Sequence, residues 1–255
     1  MTTIKILRAL VFTATLCAIP ANAAQKPALC EAPEGATVEV VDLVAARCAE
    51  ALDKAPKGVE RAGIAIALSR LYFRNGHVDK TASVLRNAVV NAPDDPELLR
   101  EAALFESGNG DKRKARLWFS RLIELHPDDA GLLAMAGDNE WRLNALTQAM
   151  GYYDKALRID PTHMPGLRSR QQLATKLGRY DAALADLDTL IALDPDNALH
   201  LVDRAGVLLA KGDPDGALAQ IETARQRFPQ VEPWTLPVLI RIQLARGDSA
   251  AAVGG

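Results

Sequence analysis

Four histidines and two pairs of aspartates are the residues of this sequence best suited to catalysis or metal binding. The histidines are His77, His126, His163 and His200, and the pairs are Asp94–Asp95 and Asp128–Asp129. A zinc site built on His126 and His163, which fall in successive expected loops, would need two further ligands that are not evident. Both aspartate pairs fit helix N-caps better than catalytic carboxylates.

No short catalytic motif accompanies these residues. The sequence lacks G-x-S-x-G, H-E-x-x-H, G-x-G-x-x-G and the phosphate-binding loop pattern. Its formal net charge of -2 gives no bulk positive excess of the kind that marks nucleic-acid binding. We therefore expect a protein that is not an enzyme, has no cofactor and no metal site, and does not bind nucleic acid.

The segment 1–23 has the features of a secretory signal peptide. Lys5 and Arg8 precede an apolar run over residues 9–19, and Ala21-Asn22-Ala23 forms a cleavage site. A transmembrane anchor is disfavoured because spanning a bilayer takes about 20 apolar residues. We expect cleavage after Ala23, a periplasmic or secreted protein, and no integral membrane span after cleavage.

Two cysteines, Cys30 and Cys48, remain after that cleavage. An even number of cysteines in an exported chain favours a disulfide, although two separate thiols are the alternative. Cys17 would be the acylated residue of a lipoprotein signal, but Leu16 stands where such signals carry a small residue. We expect Cys30 and Cys48 to be bridged.

The rest of the chain has a strict repeat period, which is the interval from Pro93 to Pro127. The same interval separates the successive residues of two series: Pro93, Pro127, Pro161, Pro195 and Pro229, and Gly76, Gly110, Asn144, Gly178 and Gly212. Proline ends helices, and glycine or asparagine adopts the left-handed backbone of a helix C-terminus. Each period is therefore predicted to be two helices, for example 133–143 and 147–159. Asp95, Asp129 and Asn197 stand at the expected N-caps.

Small and apolar residues recur at matching positions of each unit. The third unit carries Leu133, Ala136, Gly137, Ala149, Tyr153, Ala156 and Pro161, and the second carries Leu99, Ala103, Ala115, Phe119, Leu122 and Pro127. This pattern resembles the tetratricopeptide family, W-x-x-L-G-x-x-Y followed by A-x-x-x-F-x-x-A and proline. The resemblance implies an all-α solenoid, a right-handed superhelix of helix-turn-helix repeats. The units would be 62–95, 96–129, 130–163, 164–197, 198–231 and a partial 232–255, the last shifted by one position.

The segment before the repeats, 24–61, is predicted to be an arm and a capping helix. Residues 25–37 carry two prolines and a glycine and are expected to be extended. From Val38 to Lys54 the sequence is amphipathic, with Val41, Val44, Cys48 and Ala51 on one face. At the other end the sixth unit stops before a second helix can form fully.

Charged residues replace apolar ones at four motif positions. Glu106 and Glu140 stand at the motif's tyrosine, and Arg170 and Arg204 at its leucine. These positions are usually partly buried in the family, so each charge needs a partner. We expect an ion pair between Glu140 and Arg170.

The resemblance also implies that one lane of the first helices lines a concave groove. The candidate binding residues on this lane are Arg70, Phe73, Arg74, Arg100, Trp141, Arg142, Arg168, Gln172 and Lys176. Asp138 and, less surely placed, Arg241 would join them, and Val202, Gly206, Leu209 and Ala210 would make the fifth unit's part apolar. The alternative is an ordinary solvated helix face. The family's carboxylate clamp is not matched, because Ile66 stands where its first lysine would be.

These observations predict a protein-interaction scaffold that holds an extended segment or chain terminus within an envelope assembly, secretion or maturation complex. The partner is expected to be a protein or peptide, with an acidic or carboxylate-terminated segment favoured by the arginines. The alternative is a structural subunit packed permanently against a larger partner or a further part of its own chain.

Overall fold

The computed structural model describes residues 28–56 and 58–247, so the predicted signal peptide lies outside the described residues. The described part contains twelve α-helices and no β-strand. The capping helix α1 is Val38–Lys54. The first helices of the six units are α2 Val59–Arg74, α4 Pro96–Asn109, α6 Ala130–Arg142, α8 Met164–Lys176, α10 Ala198–Lys211 and α12 Glu232–Arg246. The second helices are α3 Val78–Asn91, α5 Lys112–Leu125, α7 Leu146–Ile159, α9 Tyr180–Leu193 and α11 Pro214–Arg227.

Consecutive helices pack against each other along the chain, and the two helices of a unit make the most extensive contacts. The all-α architecture of stacked helix pairs is therefore confirmed. No helix in residues 28–56 and 58–247 is both long and apolar enough to cross a membrane.

Side-chain caps fix where the first helices begin. Asp95, Asp129 and Asn197 accept hydrogen bonds from backbone amides of the following turn, at 2.9, 2.8 and 3.2 Å. The cap at Asp129 starts α6 at Ala130, earlier than the position 133 that the hydrophobic pattern alone predicts. The predicted N-caps are thus confirmed, and the apolar stripe begins only after the first helical turn.

The turns inside the units adopt two different backbone conformations. Asn144, with φ 59°, and the glycines at three matching turns adopt the predicted left-handed backbone. Gly110 does not, because its φ is -132°. There the carboxylate of Glu106 accepts a 2.6 Å hydrogen bond from the amide of Asp111 and occupies the space that a Cβ at Gly110 would need.

The core of the third unit illustrates why small residues alternate with one aromatic ring. Tyr153 is fully buried, and a Cβ added at Gly137 would lie 2.5 Å from its ring. Glycine at that position therefore lets α6 and α7 approach until the ring fills the space between them. The hydroxyl of Tyr153 donates a 2.7 Å hydrogen bond to Asp138, so the buried phenol is satisfied.

The predicted ion pair between Glu140 and Arg170 is wrong. Arg116 of α5, in the preceding unit, donates to both carboxylate oxygens of Glu140, with one contact at 2.7 Å. Arg170 instead lies between Asp154 of α7 and Asp186 of α9, at 3.0 and 2.6 Å. Each charge finds its partner on a neighbouring second helix because those helices, and not the other first helices, pack beside the motif positions.

The same rule holds for the two other replaced positions. Glu106 pairs with Arg86 of α3 at 3.3 Å, and Arg204 pairs with Asp188 of α9 at 2.8 Å. Charges at the motif positions are therefore compensated from adjacent second helices, as burial of a charge requires.

Helix α1 covers the open end of the first unit. Its Val41, Ala45 and Cys48 pack with Leu68 and Leu71 of α2 in one apolar cluster. The structure pairs Cys48 with Cys30, whose Cα atom is 5.2 Å away. The preceding arm is not wholly extended as predicted, because Ala28–Cys30 forms a turn of 3₁₀-helix that packs on α1 and α2.

The sixth unit keeps the repeat period, so the predicted shift of one position is wrong. Thr235 and Ile242 are buried and stand one full period after the buried Leu201 and Leu208. Thr235 fits this apolar position because its hydroxyl donates a 2.9 Å hydrogen bond to the carbonyl of Glu232. The second helix of this unit would fall outside the described residues.

Candidate functional site

The candidate lane lies on the layer formed by the first helices. Helix α2 contacts α4, α4 contacts α6, α6 contacts α8, and α10 contacts α12. No contact of comparable extent joins successive second helices in the described part of the chain. Helices on the inside of a curved stack approach each other more closely than those outside, so the first helices form the inner layer.

Two of the six basic lane residues already have carboxylate partners. Arg70 donates to both oxygens of Glu101 at 3.0 and 2.6 Å, and Arg100 contacts Asp129 at 2.9 Å. Burial alone would raise the pKa of Asp129, but the amide of Leu132 and the guanidinium of Arg100 outweigh it and hold that pKa below its ordinary value. Arg70 therefore links the first unit to the second, Arg100 binds the N-cap residue of α6, and neither is a free cation for a ligand.

Arg168, Gln172 and Lys176 form an exposed row along α8, one helical turn apart. Neither Arg168 nor Lys176 makes an ion pair with any other described residue. On the neighbouring helix α6, Arg142 is exposed and donates only to the backbone carbonyl of Ser107, at 3.2 Å. The cations that the lane can offer to a ligand are therefore concentrated on α6 and α8.

The first unit supplies a further basic and aromatic end. Arg74 is exposed and donates a long 3.4 Å hydrogen bond to the carbonyl of Arg70. Phe73 is half exposed and packs edge-to-face on Phe105, with ring centroids 5.8 Å apart. Trp141 is partly buried against the core that contains Leu173. Phe73 and Trp141 thus each pack against the protein on one side and remain accessible to a ligand on the other.

An apolar end of the lane was missed at the sequence level. Leu236, Ile240 and Leu244 are all exposed along one face of α12. They stand one period after Val202, Gly206 and Ala210, the lane positions of the fifth unit. Arg241 stands instead one period after the buried Val207, so its assignment to the lane is wrong. Extending the repeat period unchanged into the sixth unit would have predicted from the sequence that these three apolar residues lie on the lane.

Three of the histidines and aspartates that could have served catalysis or metal binding act instead as helix caps. Nδ1 of His163 accepts a 3.0 Å hydrogen bond from the amide of Gly166 and caps α8. Asp95 and Asp129 are N-caps, as predicted. No cluster of metal-ligating side chains occurs among residues 28–56 and 58–247.

Comparison with known families settles the relationship. A family model described as tetratricopeptide repeat matches residues 66–130, 106–163 and 172–232, which together make up more than half of the chain. The chain belongs to the tetratricopeptide repeat family. Proteins built from this repeat are typically interaction scaffolds without catalytic activity, so protein partners are indicated for this one. A comparison with curated proteins finds no match.

Solved tetratricopeptide repeat structures share the fold at low sequence identity. A tetratricopeptide repeat protein from Parabacteroides merdae is 18% identical with a TM-score of 0.64, over 84% of this chain and 83% of that one. PilW, described as a widely conserved type IV pilus biogenesis factor, is 22% identical with a TM-score of 0.63, over 76% and 90%. YrrB, described as having an unusual peptide-binding site, is 15% identical with a TM-score of 0.57, over 72% and 93%.

Proposed function

We propose that this tetratricopeptide repeat protein is an exported scaffold that binds an extended segment of a partner protein along the first-helix lane. The observation that carries the proposal is the exposed row of Arg168, Gln172 and Lys176 beside Arg142, with its cations unpaired or held only by a carbonyl. Exposed cations on the inner layer attract a carboxylate, and the planar guanidinium can donate two parallel hydrogen bonds to it.

The ligand we propose has an acidic part or a terminal carboxylate, and apolar residues beside it in its sequence. The acidic part would lie over α6 and α8, and the apolar part would cover the exposed Leu236, Ile240 and Leu244 of α12. Trp141 would contribute apolar contact beside the cations, and tryptophan and arginine recur among residues that dominate binding energies. PilW and YrrB offer parallels, since their descriptions name pilus biogenesis and peptide binding.

Export to the periplasm or the outside is the second part of the proposal. It is supported by the signal-like residues 1–23 of the sequence and by the pairing of Cys30 with Cys48. Disulfides persist in oxidising compartments and are rare in the cytosol. Expression of the full chain followed by N-terminal sequencing tests this part, and a mature protein that retains Lys5 would contradict it.

The binding test compares two charge-reversed proteins that carry the same charge change. Arg142→Glu/Arg168→Glu alters the lane, whereas Arg113→Glu/Arg158→Glu alters exposed second-helix positions that make no ion pair with another described residue. In a pull-down or peptide array, the lane variant should lose the partners that wild type and control retain. Binding should also weaken with salt, because the Debye length is about 8 Å at physiological ionic strength. Equal retention by both variants, with unchanged circular dichroism, would contradict the proposal.

A permanent structural subunit is the second candidate. The exposed apolar face of α12 favours it, since such a face on a stable monomer is a docking surface or a liability. Light scattering on the purified protein separates the two. A stable monomer that binds peptides reversibly supports the scaffold, and obligate co-purification with one large partner supports the subunit.

A further inference from the structure

A cavity of about 380 Å³ opens at the loop edge of the stack and is lined by no lane residue. It lies between the loop that joins the fourth and fifth units and the loop that leads into α12. Its lining residues are Asp194, Asp196, Asn197, Ala198, Leu199, Gln230, Val231 and Trp234. The volume is near the lower end of the roughly 300–1,000 Å³ typical of ligand sites, which suits one long side chain.

Trp234 is the first unusual feature of this cavity. The residues at the same position of the four preceding units, His200, Gly166, Leu132 and Leu98, are all buried in the inter-helix core. Trp234 alone among these is large and exposed, with 55% of its surface accessible. Its indole therefore forms one wall of the cavity and does not serve as core packing, leaving an aromatic face accessible to a ligand.

Two carboxylates, neither of them in an ion pair with an arginine or lysine of the described chain, also line the cavity. In the loop one unit earlier, the amide and hydroxyl of Thr162 satisfy Asp160 at 2.9 and 2.7 Å. The equivalent of Thr162 is Asp196. The loop that leads into the fifth unit therefore carries a second charge where the loop that leads into the fourth unit carries a hydrogen-bond donor. Asp196 makes no ion pair with any other described residue.

Asp194 receives little compensation either. It accepts a 3.1 Å hydrogen bond from the side-chain amide of Asn197. The buried His200 places Nε2 3.8 Å from Asp194, too far for a hydrogen bond, and that nitrogen has no partner in the described structure. Burial lowers the pKa of His200, so the imidazole is neutral at pH 7 and leaves the carboxylate charge uncompensated.

We propose that this cavity binds the cationic side chain of an arginine or lysine presented by a partner protein. The aliphatic stem would lie on the indole of Trp234, and the charged head would lie between Asp194 and Asp196. An aromatic face attracts a cation, and a carboxylate accepts paired hydrogen bonds from a guanidinium. The cavity and the lane share no residue, so one partner could be held at both surfaces.

Arg227 lowers the affinity of the cavity for a cation, and its removal gives a further prediction. Its guanidinium donates a 3.1 Å hydrogen bond to the carbonyl of Pro195, between the two aspartates, and lies over the ring of Phe228. It does not line the cavity, but its positive charge opposes a second cation. Removing that charge in Arg227→Gln should therefore tighten cation binding by about threefold.

The test uses N-acetyl-arginine amide, with N-acetyl-citrulline amide as a neutral ligand of matching shape. Nitrogen-15 NMR follows the indole N–H signals of the three tryptophans, and Trp234→Leu assigns one of them. The arginine compound should shift the Trp234 signal saturably, with about tenfold weaker binding of the citrulline compound and an equal weakening in Asp196→Asn. The single lane variant Arg142→Glu should bind as wild type does.

Several outcomes would overturn the proposal. They are an unmoved Trp234 signal, equal binding of the citrulline compound, unchanged affinity in Asp196→Asn, or a shift confined to Trp141. Trp234 is half exposed and Asp196→Asn is isosteric, so both variants should fold, which circular dichroism checks. Failure here would leave the lane proposal standing, because no lane residue lines the cavity.

Discussion

The ion pair between Glu140 and Arg116 gives the sharpest energetic prediction. The side chain of Glu140 is 5% exposed, whereas that of Arg116 is 45% exposed. In Arg116→Leu a buried carboxylate loses both of its guanidinium hydrogen bonds. Breaking a fully buried pair costs about 3–5 kcal/mol, and we expect about 2 kcal/mol here because the half-exposed guanidinium is partly solvated and lets water reach the carboxylate.

A double-mutant cycle isolates the interaction. Glu140→Leu removes the buried charge, so adding Arg116→Leu should then cost little, and the coupling free energy should be about 1.5–2 kcal/mol. The control cycle replaces Arg116→Leu with Arg170→Leu. Arg170 pairs with Asp154 and Asp186 and shares no partner with Glu140, so this cycle should be additive within about 0.5 kcal/mol.

Urea denaturation at one pH provides the assay, with the slope m compared among all variants. An unchanged m is required, since a changed slope in a repeat protein indicates that units no longer unfold together. A coupling to Arg116 below about 0.5 kcal/mol, or a coupling to Arg170 above about 1 kcal/mol, would refute the assignment of partners.

Three further predictions follow from the core, the arm and the caps. Tyr153→Ala should cost about 3–5 kcal/mol in urea denaturation, and Tyr153→Phe about 1–2 kcal/mol because Asp138 loses its donor; an unchanged stability of Tyr153→Phe would show that the hydroxyl contributes nothing. The intact mass of protein from an oxidising compartment should rise by two hydrogen atoms on reduction, and Cys30→Ser/Cys48→Ser should lose about 3 kcal/mol of stability. Because the folded pKa of Asp129 is depressed, its contribution is complete above its unfolded pKa near 3.9 and is lost as pH falls through the lower folded value. Asp129→Asn, which keeps a cap, should therefore flatten the stability profile below about pH 5, and an unchanged profile would contradict the charge pair with Arg100.

The fold was predictable because local signals and the repeat agreed. Asn144 marked a turn and Asp129 a cap from their backbone chemistry alone, and the repeat period placed equivalents in each unit. The packing of Tyr153 on Gly137 followed from size complementarity at fixed motif positions. The shift assigned to the sixth unit was wrong because Thr235 interrupts the apolar pattern, although its hydroxyl is satisfied by a backbone carbonyl.

The partners of the charged residues were not predictable in the same way. An arginine side chain reaches several helices, and which carboxylate it meets depends on how the second helices pack beside the motif positions. The spacing predicted Arg70 and Arg100 to be free cations, yet Glu101 of the next unit and Asp129 at the N-cap of α6 bind them. The cavity beside Trp234 depends on two loops that lie a whole repeat apart in the sequence, so no local pattern indicated it.

The charges at the motif positions also explain how similar repeats keep their order. Glu140 reaches back to Arg116 on the preceding second helix, whereas Arg170, one unit later, lies between Asp154 and Asp186. One unit later, Met150 stands at the position equivalent to Arg116, and one unit earlier Ser120 and Tyr152 stand at those equivalent to Asp154 and Asp186. A slip of one unit would therefore leave both Glu140 and Arg170 without their partners at partly buried positions, where an unpaired charge is costly. This cost disfavours the misaligned stacking to which repeats of one length are prone.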